Sequence, residues 1–249
     1  MTSLCTDIHK ELQNLSDPVM AEHAKRFFKT GKGEYGEGDE FLGIRVPVLR
    51  KLAKKHKSVF LPEAEQLLQS PFHEARLLAL FLLVGRFNAG DEHRRKQVYD
   101  LYSGNTRHIN NWDLVDSSAH HIVGCYLFDK DKKPIYDFSR SAHLWERRIA
   151  ILSTFYFIRN KAFEDALAIS LILLKDGQDL IHKAVGWMLR EIGNRSLETE
   201  ISFLDAHYQN MPRTMLRYAI EKFPEPLRLS YLKGTRQSMI DPYNKGEMQ

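Results

Sequence analysis

Apolar residues recur along this chain at intervals of three and four, and no stretch shows the period-2 alternation of β-branched residues that marks a strand. The pattern predicts helix nearly throughout. Helix starts are expected at Asp17-Pro18, Val46-Pro47, Ser70-Pro71 and Met211-Pro212, where a first helical turn tolerates proline, and stops at Gly90, Gly104, Gly177 and Gly234. Roughly a dozen helices with short connections suit stacked helical hairpins better than a four-helix bundle. A repeat supports that choice: Arg76-Leu-Leu-Ala79-Leu80, Arg147-Arg-Ile-Ala150-Ile151, Lys183-Ala-Val-Gly186-Trp187 and Leu216-Arg-Tyr-Ala219-Ile220 each place a small residue three after the start of an apolar helix. The later copies are roughly 35 residues apart, and the first gap leaves room for one more copy around Trp112 to Asp116, the signature of an all-α solenoid of HEAT-like repeats.

Three helices carry residues that break the amphipathic rule. In the helix expected from Leu180 to Asn194, Ile181, Ala184, Val185, Met188, Leu189 and Ile192 complete an apolar stripe, and Trp187 falls on the opposite face with Lys183, Arg190 and Asn194. Such an indole either packs against a neighbouring helix pair or stands beside basic groups to meet a sugar or phosphate backbone. In the helix expected to begin near Asn110, the core-facing residues are Leu114, Val115, Ser118, Ala119, Ile122 and Val123. Trp112 and Asp116 sit one turn apart along its border, where the Asp is a cap, a solvated residue or a functional group. Arg148 is surrounded at three and four residues by Leu144, Trp145, Ile151 and Leu152, so its guanidinium needs a partner: Asp113 or Asp116 of the preceding repeat, or a ligand phosphate. Arg213 and Arg217 lie one turn apart beside the stripe of Leu216, Ala219, Ile220 and Phe223, either as solvated charges or as part of a basic track.

Composition narrows the class. The chain has 249 residues, of which 43% are hydrophobic and 27% charged, enough apolar surface for one globular domain over residues 1–249 without disulfides or metals, with a frayed tail from about Lys233. Leu77 to Val84 is the longest purely apolar run, well short of the ~20 residues a bilayer span needs, and no secretory signal opens the chain, so a cytoplasmic protein is expected. Cys5 and Cys125 are expected to be free thiols. A net charge of +4 permits a polyanionic partner without requiring one.

Several motifs fail on context. Gly31-Lys-Gly33-Glu-Tyr-Gly36 satisfies G-x-G-x-x-G but follows a helical stretch, Ala21 to Lys29, and is flanked by Glu34, Glu37, Asp39 and Glu40, which repel a pyrophosphate. Asp129 and Asp131 begin like a calcium loop, but Lys133 and Pro134 occupy positions that need an oxygen ligand and a glycine turn. His73-Glu74 lacks the second His of a zinc helix, and His120 and His121 point to different faces; no metal site is expected.

Asn111-Trp-Asp-Leu-Val-Asp116, Leu144-Trp-Glu-Arg-Arg148-Ile-Ala-Ile-Leu and Ile181-His-Lys-Ala-Val-Gly-Trp187-Met-Leu-Arg-Glu191 together resemble the bacterial DNA alkylation repair glycosylases of the AlkD type in content, order and spacing. Phe41-Leu-Gly-Ile44 with Pro47 and Arg50, Glu74-Ala-Arg76, and Arg213 to Ile220 extend the likeness over about residues 18–232. The Gly-rich loop from Gly31 to Asp39 is longer than in the shortest members, and Phe27 or Phe28 stands where an N-terminal Tyr contact is expected. The resemblance implies a C-shaped superhelix holding duplex DNA in a concave basic face, with excision of positively charged N3- and N7-alkylated purines such as 3-methyladenine and 7-methylguanine. It implies that Asp116 is the catalytic carboxylate, Trp112 and Trp187 the flanking indoles and Arg148 the cleft arginine. Lys183, Arg190, Arg147, Arg213 and Arg217 are the candidate DNA contacts. It further implies action on the sugar without a base-recognition pocket, in a monomer without metal or organic cofactor. The rival readings are a catalytically inactive HEAT-repeat protein that binds distorted or branched nucleic acid, and a scaffold for another protein.

Overall fold

The computed structural model describes residues 3–236, so most of the tail expected to fray lies outside the described residues. Two compact units meet in sequence between Ile135 and Tyr136. In the first, the helices are α1 (Ser3–Asn14), α2 (Pro18–Phe27), α3 (Val46–Lys55), α4 (Leu61–Leu68), α5 (His73–Ala89), α6 (Glu92–Gly104), α7 (Trp112–Asp116) and α8 (Cys125–Leu127). Helix α9 (Lys133–Ser139) spans the boundary, and the second unit continues with α10 (Leu144–Arg159), α11 (Glu164–Ile172), α12 (Asp179–Gly193), α13 (Leu197–His207), α14 (Arg213–Ala219) and α15 (Glu225–Lys233). Among the described residues there is no strand, only one isolated bridge between Glu40 and Phe72. The fold is all-α, built of stacked helices as the periodicity predicts, and no helix is long and apolar enough to cross a membrane.

In the first unit α5 is the central element, packed against α3, α4 and α6. Ala75, Leu78, Ala79, Leu80 and Leu83 have no exposed surface at all, because neighbours surround the helix on several sides. In the second unit α12 holds that place, against α10, α11, α13 and α14. Its predicted stripe, Ile181, Ala184, Val185, Met188, Leu189 and Ile192, is completely buried.

The repeated small residue has a steric reason here. A methyl group on Gly186 would lie 2.4 Å from the Met215 carbonyl oxygen and 2.5 Å from Tyr218 Cβ, so only glycine lets α12 and α14 approach this closely. Ala79, Ala150 and Ala219, at the corresponding positions, are fully buried.

Boundaries depart from expectation where local chemistry competes. Asp17 caps α2 as predicted, its carboxylate accepting from Val19 and Met20 N–H, and Gly234 ends α15 in the left-handed conformation. Ser70-Pro71 does not open α5. Its first turn begins at His73, because the preceding residues spend their backbone groups elsewhere: Ser70 and Pro71 carbonyls accept from Arg76, and Phe72 N–H donates to Ser70 Oγ. Gly177 lies beyond the end of α11 at Ile172. The continuous helix expected from Asn110 breaks after Asp116 into a turn, then resumes as a single π-helical turn from His120 to Gly124.

Candidate functional site

The first unit presents Trp112 and Asp116 from the five-residue helix α7, too short to be stable on its own propensity. Tertiary contacts hold it. Asn111, fully buried, is its N-cap, and its side-chain oxygen accepts from Trp112 N–H at 2.9 Å. Asp113 uses both carboxylate oxygens: Oδ1 accepts from Leu114 N–H at 2.9 Å, and Oδ2 meets His73 Nε2 at 2.8 Å. Leu114 and Val115 plug the core, which leaves Trp112 and Asp116 half-buried on the border, one turn apart, as the spacing predicts. Downstream, Ser118 Oγ donates to the Leu114 carbonyl and meets the Tyr102 hydroxyl at 3.0 Å. Burial raises the Tyr102 phenol above its ordinary range, the Ser118 contact opposes this, and the negative charge of Asp116 nearby adds to the rise.

Sequence reasoning missed the charge network behind α7. His73 is 2% exposed and bridges two carboxylates, Asp39 at 3.3 Å through Nδ1 and Asp113 through Nε2. Arg76 Nη2 lies 2.7 Å from Asp39 Oδ1, and Asn110 Nδ2 donates to the same oxygen at 3.1 Å. Burial alone would lower the His73 pKa, but the hydrogen bonds to Asp113 and Asp39 overcome it and push the imidazole up to about 9. It is therefore an imidazolium at neutral pH, a third ionised member between two anions. Asp39 is held below the ordinary carboxylate range despite its burial, because His73 and Arg76 favour its charged form.

The next residue, Glu74, ties this network to the preceding loop. Its carboxylate accepts from Leu42, Gly43 and Ile44 N–H at 2.9, 2.8 and 3.3 Å. Gly43 has φ 79°, and a side chain there would meet the Asp17 carbonyl oxygen at 2.2 Å, so the loop needs glycine twice over. Phe41 and Glu74, matched separately in the sequence, belong to one construction. Aromatic rings complete it: Phe28 stacks on Phe41 and Trp112 with centroids at 5.2 and 5.5 Å, and Phe27 meets Trp112 edge-on at 5.8 Å.

In the second unit, Arg148 on α10 is 5% exposed and its Nη1 donates to the Leu180 carbonyl at 2.5 Å, fastening α10 to the first turn of α12. Trp187 is half-buried on α12, its Nε1 donating to Glu191 at 3.3 Å and its ring 5.9 Å from Phe155 of α10. The basic candidates differ in engagement. Arg147 pairs with Asp176 at 2.6 Å and donates to the Ser141 and Ala142 carbonyls, Lys183 pairs with Asp179 at 2.7 Å, and Arg190 pairs with Glu221. Arg213 is exposed and donates to the Leu232 carbonyl, and Arg217 is an exposed side chain on the same helix.

The rejected motifs are accounted for locally. The Gly31 to Gly36 loop spends its N–H groups on its own acids, Gly31 on Glu34 and Gly33 on Glu37, so it is no phosphate cradle. Among the described residues no group of three His, Cys, Asp or Glu side chains is arranged to hold a metal ion.

The fold and these residues define a helical-repeat protein whose border positions carry indoles, a carboxylate and arginines. The family model for DNA alkylation repair enzymes matches residues 8–223, and the chain belongs to that family, whose role lies in the repair of alkylation damage to DNA. Among solved structures it is similar to a predicted DNA alkylation repair enzyme from Enterococcus faecalis, at 14% identity and a TM-score of 0.67, over 84% of this chain and 97% of that one. It is also similar to smu.31 from Streptococcus mutans UA159, at 18% identity and a TM-score of 0.50, over 82% of this chain and 98% of that one. At these identities the likeness is one of fold. No curated protein sequence matches the chain.

Proposed function

We propose that this protein is a monofunctional DNA glycosylase that hydrolyses the N-glycosidic bond of positively charged N3- or N7-alkylated purines in duplex DNA and leaves an abasic site. The observation that carries the reading is the Asp116 carboxylate, half-buried one turn from the Trp112 indole on a helix held in place from both sides.

Alkylation at N3 or N7 makes the purine cationic, so the C1′–N bond breaks with its electron pair moving to the base, which departs neutral without a general acid. Positive charge then develops on the deoxyribose. A fixed carboxylate stabilises that oxocarbenium ion and orients the water that attacks C1′, an electrostatic contribution of the kind that is often the largest in catalysis. Asp116 has this role. Trp112 and Trp187 offer π faces to sugar C–H edges and developing charge, and Arg148 holds a phosphate, positioning the strand without reading its sequence. Arg217 and Arg213 are the readiest phosphate contacts. Lys183, Arg190 and Arg147 reach a phosphate only by exchanging a carboxylate partner for it.

Incubation of the purified protein with methylated duplex DNA tests the reading, with released 3-methyladenine and 7-methylguanine separated from the DNA and quantified. Free methylpurine together with abasic sites is the expected result. DNA binding that falls steeply with salt, without base release, would instead establish the catalytically inactive binder of distorted nucleic acid.

A further inference from the structure

The first unit contains a cavity of about 640 Å³ between α2, the loop before α3, and the start of α5. That volume lies within the ~300–1,000 Å³ typical of small-molecule sites. Its apolar walls include Phe27, Phe28 and Phe41, and its polar wall is formed by His73, Glu74 and Asp113. The rings are organised rather than scattered: Phe28 and Phe41 are nearly parallel, at 15°, and Phe28 also stacks at 26° on Trp112. Phe27, at the mouth, is 64% exposed, an unusual position for a ring that core packing alone would draw inward.

The electrostatics of the walls have a sign. Three carboxylates, Asp39, Glu74 and Asp113, stand against two buried cations, His73 and Arg76, which leaves one net negative charge behind the aromatic rings. The other charged and titratable groups on the cavity, Arg45 and His23, are exposed at its rim and screened by solvent. Flat π faces backed by net negative charge favour a planar, delocalised cation over a neutral ring of the same shape. An alkylated purine is such a cation.

The geometry points to this cavity as a site for the alkylated base itself, with Phe27 and Phe28 as the selective wall and Asp113 as the carboxylate on its edge. This inference rests on the proposed substrate class but is independent of catalysis by Asp116. It also differs from what the family resemblance implies, namely action on the sugar without a base pocket.

Equilibrium dialysis of the full chain against 7-methylguanosine and guanosine tests it. The cationic nucleoside is expected to bind at least tenfold more tightly than the neutral one. Phe27→Ala, at an exposed position with little to lose in folding, should weaken that binding several-fold, and Phe28→Ala, with its fold checked by circular dichroism, should abolish it. Backbone amide shifts on adding 7-methylguanosine should concentrate in residues 20–28, 41–47 and 73–77. No binding to the wild type, equal affinity for the two nucleosides, unchanged affinity in Phe27→Ala, or shifts elsewhere would each overturn the assignment. Failure here with base release intact leaves the glycosylase reading standing; selective binding without any base release removes that reading and keeps the site.

Discussion

The two units fix their candidate residues by different physics. In the first, α7 is five residues long and is held by a buried ionic chain, Asp113 to His73 to Asp39 to Arg76, together with a stack of aromatic rings. In the second, Trp187 and Arg148 ride on helices of fifteen and sixteen residues whose apolar stripes bury themselves, and only a carbonyl contact and a single indole hydrogen bond are added. A long amphipathic helix needs little polar help. A short irregular one cannot be positioned by its stripe, so charge and stacking take over, and stability there becomes sensitive to pH.

The strongest way to break this contrast is His73→Ala. It leaves Asp39 and Asp113 buried without the imidazolium between them, a change expected to cost about 3–5 kcal/mol in urea denaturation. Hydrogen exchange should show the loss around residues 112–118 and not at 184–192; uniform loss would mean that the network does not act locally. The pH dependence has a definite sign. A histidine whose folded pKa is raised to about 9 contributes stability that is full below its ordinary value near 6.5 and disappears as pH rises through 9. In the alanine variant that alkaline decline in stability should be absent.

The packing of the second unit is sharpened by Gly186→Ala. The added methyl gains up to about 1 kcal/mol of helix propensity but collides with the Met215 carbonyl, so a net loss of roughly 1–3 kcal/mol is expected from thermal melts. Unchanged stability would show that α12 and α14 separate easily.

A smaller effect is expected at Glu200, 1% exposed on α13 with its Oε1 lacking a hydrogen-bond partner. Burial raises its pKa to about 8, against a weaker opposing pull from Arg190. A raised carboxyl contributes most below its ordinary value of 4.5 and destabilises progressively as pH rises from there through 8. Glu200→Gln should therefore raise the melting temperature by roughly 2–4 °C at pH above 8 and by less in acid, as followed by calorimetry. An equal shift at all pH values would assign the gain to packing rather than charge.

Periodicity made the second unit legible almost to the residue. The stripe of α12 is buried as predicted, and the α12 boundaries lie one residue from those expected. In the first unit it failed after Asp116, because Leu114, Val115, Ser118, Ile122 and Val123 keep helical spacing while the backbone passes through a turn and a π-helical segment. All five are nevertheless buried, so burial survived where helix continuity did not. Trp112 and Asp116 were visible as a border pair, but their support was not. Asp39, His73 and Asp113 lie 34 and 40 residues apart in sequence, and no local pattern announces an ion network across such separations. The one available signal was chemical: His73, Glu74 and Arg76 crowd polar groups into the opening of the most apolar helix of the first unit, where each needs a partner.

The central claim is that the Asp116 carboxylate, rather than the fold alone, makes the reaction possible. Release of 7-methylguanine from methylated duplex DNA should be compared for the wild type and Asp116→Asn under single-turnover conditions, with DNA affinity measured in parallel. The account predicts release slowed by about 10²–10³-fold with affinity nearly unchanged. Release at the wild-type rate, or loss of DNA binding by a folded Asp116→Asn protein, would contradict it.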